Sequence, residues 1–330
     1  MTWLSDETVR HLRRVAEWPD LAETKYRLEE ELGRGGMGTV YLAEDVVLGR
    51  KVALKVVSTP VAGPETAERM LREARIVARL EHPGIVPIHD AGALPDGRVY
   101  YAMKRVVGER LDALAARLSL AERLRVFQRI CDAVAFAHAH GVVHRDLKPE
   151  NVMVGAFGEV LVMDWGVAKL VSSEAAEAGE AGPLRTDPNA AKTANGAVVG
   201  TAGYMAPEQA RGARGRIGPW SDVYSLGGVL RFLLTVRAPG GSDDQSVAAR
   251  PRPLASVAAR AMAEAPDERY DGAEELSAEV SRFLEGRRVL AHRENAWERA
   301  SRIFARYRTP ILLVLAYLLA RTLILLYGRR

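Results

Sequence analysis

The stretch Tyr26–Val57, YRLEEELGRGGMGTVYLAEDVVLGRKVALKVV, carries three spaced glycines between runs that favour β structure. Residues Thr39–Ala43 and Val52–Val57 read as strands, joined through a turn at Leu48, Gly49 and Arg50. Gly33, Gly35 and Gly38 therefore lie between strands. A dinucleotide fingerprint would need a helix directly after them, and a Walker-type phosphate loop would need G-K-[ST]; neither is present. Taken alone, the stretch is equally compatible with a glycine-rich hairpin of no chemical consequence.

Beyond it, the spacing predicts a helix over roughly Glu65–Leu80, with Met70, Glu73, Val77 and Leu80 on one stripe. A carboxylate inside an apolar stripe is costly unless paired. In VALKVV, alternation sets Lys55 on the face of Ala53 and Val57, where an ammonium meets the matching problem. A Glu73–Lys55 pair answers both; each side chain could instead reach solvent by itself. A strand pair is expected around Val99–Val107, and a long helix over Ala121–His140 that stops at Gly141. Short apolar runs then alternate with polar turns in VVHRDLKPENVMV and GEVLVMDWG, a setting that suits chemistry. Residues Val171–Ala197 lack periodicity and read as a loop, after which helical sequence continues to about Arg282.

With 330 residues, 48% of them hydrophobic, and Cys131 as the single cysteine, the chain is neither disordered nor a disulfide scaffold. The net charge of +4 is unevenly placed. Residues 282–330 hold eleven Arg and three Glu, leaving 35 basic against 39 acidic residues before them. A mildly acidic body argues against nucleic acid as a partner. Met1–Lys25 is charged throughout and has no apolar core of the kind a secretory signal needs.

In their order, GRGGMG (33–38), VALK ending at Lys55, HRDLKPEN (144–151), DWG (164–166) and GTAGYMAPE (200–208) resemble the eukaryotic-like (Hanks-type) Ser/Thr protein kinases of bacteria. The resemblance runs from about Tyr26 to Leu284. It implies an α+β, bilobed protein-kinase-like fold: a small β-rich N-lobe (about 26–107) and a mainly helical C-lobe (about 108–284). A helical extension (1–25) would precede it, and a basic segment (285–309) and a transmembrane helix (310–327) would follow. The implied activity is transfer of the ATP γ-phosphate to protein Ser or Thr hydroxyls, the chain's own included, with ATP and Mg²⁺ as cofactors. A homodimer is a further option for partner, and a nucleotide-binding pseudokinase scaffold is the alternative function.

Phosphoryl transfer asks a protein for charge neutralisation and an aligned acceptor, and these residue types supply both. Gly33, Gly35 and Gly38 would let backbone N–H groups approach the phosphates. Lys55, oriented by Glu73, would bind the α and β phosphates. Asp164 and Asn151 would hold metal through hard oxygen ligands. Asp146 would orient or accept the acceptor proton. From the resemblance alone, Lys148 contacts the transferred phosphate and Thr201 supports Asp146. Met103 is the gatekeeper, Lys104 to Val106 the hinge, and Val40, Ala53 and Met153 enclose adenine. Glu208 is expected to pair with Arg269.

Trp165 stands where the family usually has Phe, a larger ring in a segment whose packing governs switching. Ser172, Ser173, Thr186 and Thr193 lie in the long loop, where phosphorylation of Thr186 or Thr193 could engage Arg145 and order the segment. Unmodified hydroxyls are equally at home in such a loop.

Finally, PILLVLAYLLARTLILLY (Pro310–Tyr327) would span roughly 27 Å as a helix, near the ~30 Å hydrocarbon core. Arg321 costs about 2.5–3.5 kcal/mol at a helix centre, against roughly 0.3–0.6 returned by each Leu, Ile or Val. Arg299, Arg302, Arg306 and Arg308 before the run place the catalytic body on the cytoplasmic side of a single-pass anchor in the cell membrane. A helix docked on protein is the competing expectation.

Overall fold

In the computed structural model, the described residues are 18–35, 38–57, 64–165, 203–211, 217–236 and 251–327. They divide into two compact units: Met1–Leu114 with Phe136–Val199, and Ala115–Ala135 with Gly200–Arg330.

The first unit is built on a five-stranded antiparallel sheet of order β1-β2-β3-β5-β4: β1 (Tyr26–Gly35), β2 (Gly38–Asp45), β3 (Arg50–Val57), β4 (Ile88–Ala93) and β5 (Val99–Lys104). The β2–β3 turn forms because Gly49 takes φ +62°, and because Asp45 Oδ1 accepts from the N–H groups of Val47 and Leu48, each at 3.2 Å. Period two sorts the sheet's side chains. Val52, Leu54 and Val56 of β3, with Tyr100 and Ala102 of β5, join Tyr26, Tyr41 and Leu94 in a core on one face. Ala53, Lys55 and Val57 belong to the other face, where helix α1 (Pro64–Ala78) sets Met70 against Val57 and Val99. The stripe read from the sequence is buried as expected at Met70, Val77 and Leu80. The expected strand pair near Val99 is β5 with β4, so the partner lies upstream of it.

The unit also holds a second antiparallel sheet, β6 (Gly108–Arg110), β7 (Val152–Gly155) and β8 (Val160–Val162), a one-turn helix α2 (Leu111–Leu114) and a 3₁₀ turn over Pro149–Asn151. It is stitched to the segment before β4, where Val162 N–H donates to the Gly84 carbonyl at 2.8 Å.

Helix α3 (Leu120–Ala139) starts at a reciprocal cap: Glu122 N–H reaches Ser119 Oγ at 3.3 Å while Ser119 N–H reaches Glu122 Oε2 at 2.8 Å. It ends as the sequence predicts. Gly141 (φ +74°) lets its own N–H reach the His138 carbonyl (3.0 Å) and the Val142 N–H reach the Ala137 carbonyl (2.9 Å).

In the second unit, helix α4 (Pro207–Ala210) precedes α5 (Pro219–Thr235), buried almost throughout, which packs on α6 (Arg252–Ala261) and α7 (Ala273–Leu284). Close approach of α5 and α6 requires Gly227, since a Cβ there would stand 2.8 Å from that of Ala261. Cys131 is buried, and burial raises its thiol well above the usual range, as a structural cysteine requires.

The tail differs from expectation. Residues 310–327 are the second half of α8 (Ala296–Tyr327), two helical stretches started by an Asn295–Glu298 cap and joined across a kink at Tyr307, three residues before a proline that has no N–H for the ladder. No helix among the described residues is long and apolar enough to cross a membrane.

Candidate active site

The register gathers the site. Val40 pairs with Lys55, Leu42 with Ala53, Ala53 with Met103, and Lys55 with Tyr101. Cross-strand partners share a face. Val40, Ala53, Lys55 and Met103, four residues singled out from sequence, therefore line one surface together with Leu42 and Tyr101, which sequence reading did not single out. Lys104, expected to lie in the hinge, directs its N–H to the Pro87 carbonyl at 3.1 Å, so this group is spent within the protein. Val106 is half-buried just beyond it, and Met153 sits half-buried on β7.

At Gly38 a Cβ would run into the Val56 carbonyl, which the β2–β3 ladder cannot move aside, so packing alone demands glycine there. Gly33 is different: among the described residues no atom lies within 4 Å of where its Cβ would stand, and at Gly35 the nearest is at 3.9 Å. Packing by the described residues does not require glycine at these two positions.

Lys55 is buried and its Nζ is bonded to Asp164 Oδ1. Burial works to lower its basicity, but Tyr101 and Asp164 outweigh that and hold the ammonium above the ordinary lysine range. The Glu73 side chain lies outside the described residues, as do Thr201, Gly166, Ser172, Ser173, Thr186 and Thr193.

Asp146 follows Arg145, which sits in the left-handed region at φ +67°. Its carboxylate Oδ2 lies 3.3 Å from Lys148 Nζ and 3.4 Å from Asn151 Nδ2, and Asn151 also donates to the Asp146 carbonyl at 2.8 Å. His144 fixes the loop from beneath. Its Nδ1 accepts from the Asp146 N–H (3.2 Å) and its Nε2 donates to the Met163 carbonyl (2.8 Å), which places the single ring proton on Nε2. Because Met163 N–H also donates to the Asn151 carbonyl (2.9 Å), the HRD loop and the DWG segment are fastened to each other.

Asp164 itself adopts φ +57°, a conformation an aspartate holds only with support from its neighbours. Trp165 supplies some of it. The buried indole donates from Nε1 to the Val162 carbonyl at 3.0 Å and tilts against the His144 ring at 4.7 Å. Phe could stack but could not donate. Val162 O also accepts from Val86 N–H (3.3 Å), so losing the indole bond costs near the low end of about 0.5–1.5 kcal/mol. Trp165→Phe is expected to raise the Mg²⁺ concentration needed for half-maximal turnover about 2- to 3-fold, read from Mg²⁺ titrations of activity. An unchanged Mg²⁺ dependence would remove the anchoring role.

Hard oxygens are available for a metal. Asn151 turns its amide nitrogen to Asp146, which leaves Oδ1 as ligand oxygen, and Asp164 offers a carboxylate. Among the described residues no group of three or more His, Cys, Asp or Glu could hold a metal ion alone. This donor set suits Mg²⁺, which is typically held by one or two protein ligands plus substrate phosphates and water.

The family profile described as Protein kinase domain matches residues 26–295. The chain belongs to the protein kinase family. It is 37% identical over 298 residues to the serine/threonine-protein kinase PknD of Protochlamydia amoebophila and 35% identical over 295 residues to PknD of Chlamydia abortus. Those alignments cover 79% of this chain but 30% and 31% of the relatives, so the chain spans about a third of their length. Among solved structures it is similar to the Mycobacterium tuberculosis PknI kinase domain, at 27% identity and a TM-score of 0.59, covering 79% of this chain and 96% of that one. The kinase match ends at residue 295, one residue before helix α8 begins.

In the second unit the expected Glu208–Arg269 pair is present and buried. Arg269 Nη1 and Nη2 donate to Glu208 Oε1 and Oε2 at 2.8 and 3.0 Å, and Ser221 Oγ donates to Oε1 at 2.7 Å. Its role is structural.

Proposed function

We propose that this chain transfers the γ-phosphoryl group of ATP to Ser or Thr hydroxyls of proteins, itself included when a second copy presents its activation loop. The observation that carries the reading is the joint fastening of Asp146, Lys148, Asn151 and Asp164, with Lys55 bonded to the last of them.

Lys55 would bind the α and β phosphates, and the backbone of 33–38 would cover them. Mg²⁺, when bound, neutralises charge on the phosphates; Asp164 and Asn151 would hold it. Asp146 Oδ2 would take a hydrogen bond from the acceptor hydroxyl and orient it in line, while Lys148, 3.3 Å away, would meet the charge on the transferred group. The test is transfer of label from γ-labelled ATP to protein, with Asp146→Asn as comparison. Wild-type protein that binds nucleotide but transfers no more phosphate than the variant would leave a pseudokinase scaffold in its place.

Attachment to the cytoplasmic face of the cell membrane through α8 is part of the same proposal. Leu312, Leu313, Leu315, Leu318 and Leu319 are all exposed, and consecutive positions of a helix point to every side of it, so lipid would cover what protein does not. The full chain is expected to float with anionic phospholipid vesicles and a chain ending at residue 309 to remain unbound; equal behaviour of the two would retire the attachment.

A further inference from the structure

Helix α8 begins just after the protein kinase match ends, and its first stretch carries aromatic side chains at the surface: Trp297 is 85% exposed, Phe304 52% and Tyr307 49%. At about 100° of rotation per residue, positions 297, 300 and 304 fall within an arc of about 60° on one side of the helix, and positions 299, 302 and 306, where the sequence has arginine, within an arc of about 60° on the far side. A third side meets the rest of the second unit. Glu298 Oε2 lies 3.1 Å from His292 Nε2 and its Oε1 3.9 Å from Arg252 Nη1, while His292 Nδ1 lies 3.1 Å from Ser256 Oγ. Arg252 and Ser256 both belong to α6, so α6 holds the side of α8 that carries Glu298. That side stands about 100° round the helix from Trp297 and about 120° from Phe304. The ties therefore leave the aromatic side turned away from α6.

Aromatic side chains on one side and arginines on the other are the pattern of a helix that lies in a membrane interface. Tryptophan suits that depth, because its ring is apolar and its N–H polar. Charge selects the lipid: residues 282–330 hold eleven Arg against three Glu. Arginines on the water side still feel an anionic leaflet, since a helix is about 10–12 Å thick and the Debye length at physiological salt is about 8 Å. The exposed leucines at 312–319 continue the same surface along the chain. We propose that residues 296–307 form an interfacial helix, with Trp297 and Phe304 seated at the boundary between headgroups and acyl chains of anionic phospholipid. This rests on the attachment proposed above and adds to it a depth and an orientation: with Glu298 tied to α6, the bilayer plane sets the attitude of the second unit. Two aromatic side chains are too little for stable attachment unaided, just as one acyl chain gives only marginal binding, so the segment acts together with 310–327 and not in its place.

The full chain is mixed with vesicles of phosphatidylcholine and phosphatidylglycerol whose acyl chains carry bromine either near the headgroup or near the methyl end. Bromine quenches indole fluorescence on contact, and Trp297→Phe removes the indole in question from the chain's five tryptophans while keeping an apolar ring. Shallow bromine is expected to quench the wild type more strongly than deep bromine, and that difference is expected to vanish in Trp297→Phe. The double variant Trp297→Ala with Phe304→Ala is expected to bind the same vesicles about 10- to 100-fold more weakly than wild type. A chain that floats with the vesicles but is quenched identically in Trp297→Phe, or most strongly by deep bromine, overturns the interfacial placement and leaves the attachment standing. Sedimentation of the lipid-free chain as a dimer that Phe304→Ala disperses does the same, because a second copy then covers the aromatic side. A full chain that does not float overturns both.

Discussion

Asp146→Asn is expected to lower kcat for phosphate transfer by about 10²–10⁴-fold while leaving the KM for ATP within a few-fold of wild type. The size follows from what the substitution removes. Asn retains one oxygen acceptor for Lys148 and Asn151, which hold the present carboxylate at 3.3 and 3.4 Å. The backbone bonds of the loop, Asp146 N–H to His144 and Asp146 carbonyl to Asn151, do not involve the side chain at all. The loop should therefore keep its shape, and the loss is chemical: an amide oxygen is a far poorer acceptor for a hydroxyl proton than a carboxylate. Initial-rate kinetics with a Ser/Thr protein substrate decide it. A kcat within tenfold of wild type would show that Asp146 does not orient or receive the proton.

Glu208→Ala is expected to destabilise the second unit by about 3–5 kcal/mol, a melting temperature lower by about 10 °C, because it leaves the buried Arg269 without its counter-charge. Arg269 keeps carbonyl partners in Ala263 (2.9 Å), Trp220 (2.9 Å) and Glu264 (3.0 Å), but these neutralise no charge. The double variant Glu208→Leu with Arg269→Met removes both charges and should recover much of the loss. The pair also predicts a pH dependence. Burial tends to raise the Glu208 carboxyl, but hydrogen bonds from Arg269 and Ser221 outweigh it and hold it below the usual range near 4.5. A depressed carboxyl contributes its stability above the unfolded value and loses it as pH falls through the folded one. Wild-type stability should thus decline below about pH 4.5 more steeply than that of Glu208→Gln, as urea denaturation at several pH values would show. A Glu208→Ala melting temperature within 2 °C of wild type would mean the pair carries no net stability.

Much of this was legible from residue order. The turn at Gly49, the stop at Gly141 and the stripe through Met70, Val77 and Leu80 follow from local rules: a positive φ needs glycine, and an amphipathic helix buries one stripe. Lys55 illustrates the limit. Alternation showed that it faced inward and needed a partner, and Glu73 was the candidate that spacing offered. The Glu73 side chain lies outside the described residues; the bonded partner the structure displays, Asp164, comes from a distant loop, and the cross-strand neighbour Tyr101 from a non-consecutive strand that a one-residue change in β3–β5 register would have turned to the opposite face. Trp165 was recognisable as a departure from the family pattern; that its indole is spent on the Val162 carbonyl depends on where β8 ends.

The sequence alone determined which chemistry the chain is equipped for, since residue types and their order within short motifs are one-dimensional properties that survive without coordinates. It also determined that the glycines at 33–38 are followed by a strand–turn–strand and not by a helix, although the structure adds a strand, Tyr26–Gly35, that itself contains Gly33 and Gly35. Only the tertiary structure decided which groups satisfy one another. Buried charges and polar atoms are stabilised by partners brought close through sheet register and helix packing, and those separations in space have no fixed relation to separations along the chain. The apolar run at 310–327, which by length suggests a spanning helix, is the far half of α8, and no helix among the described residues is long and apolar enough to cross a membrane.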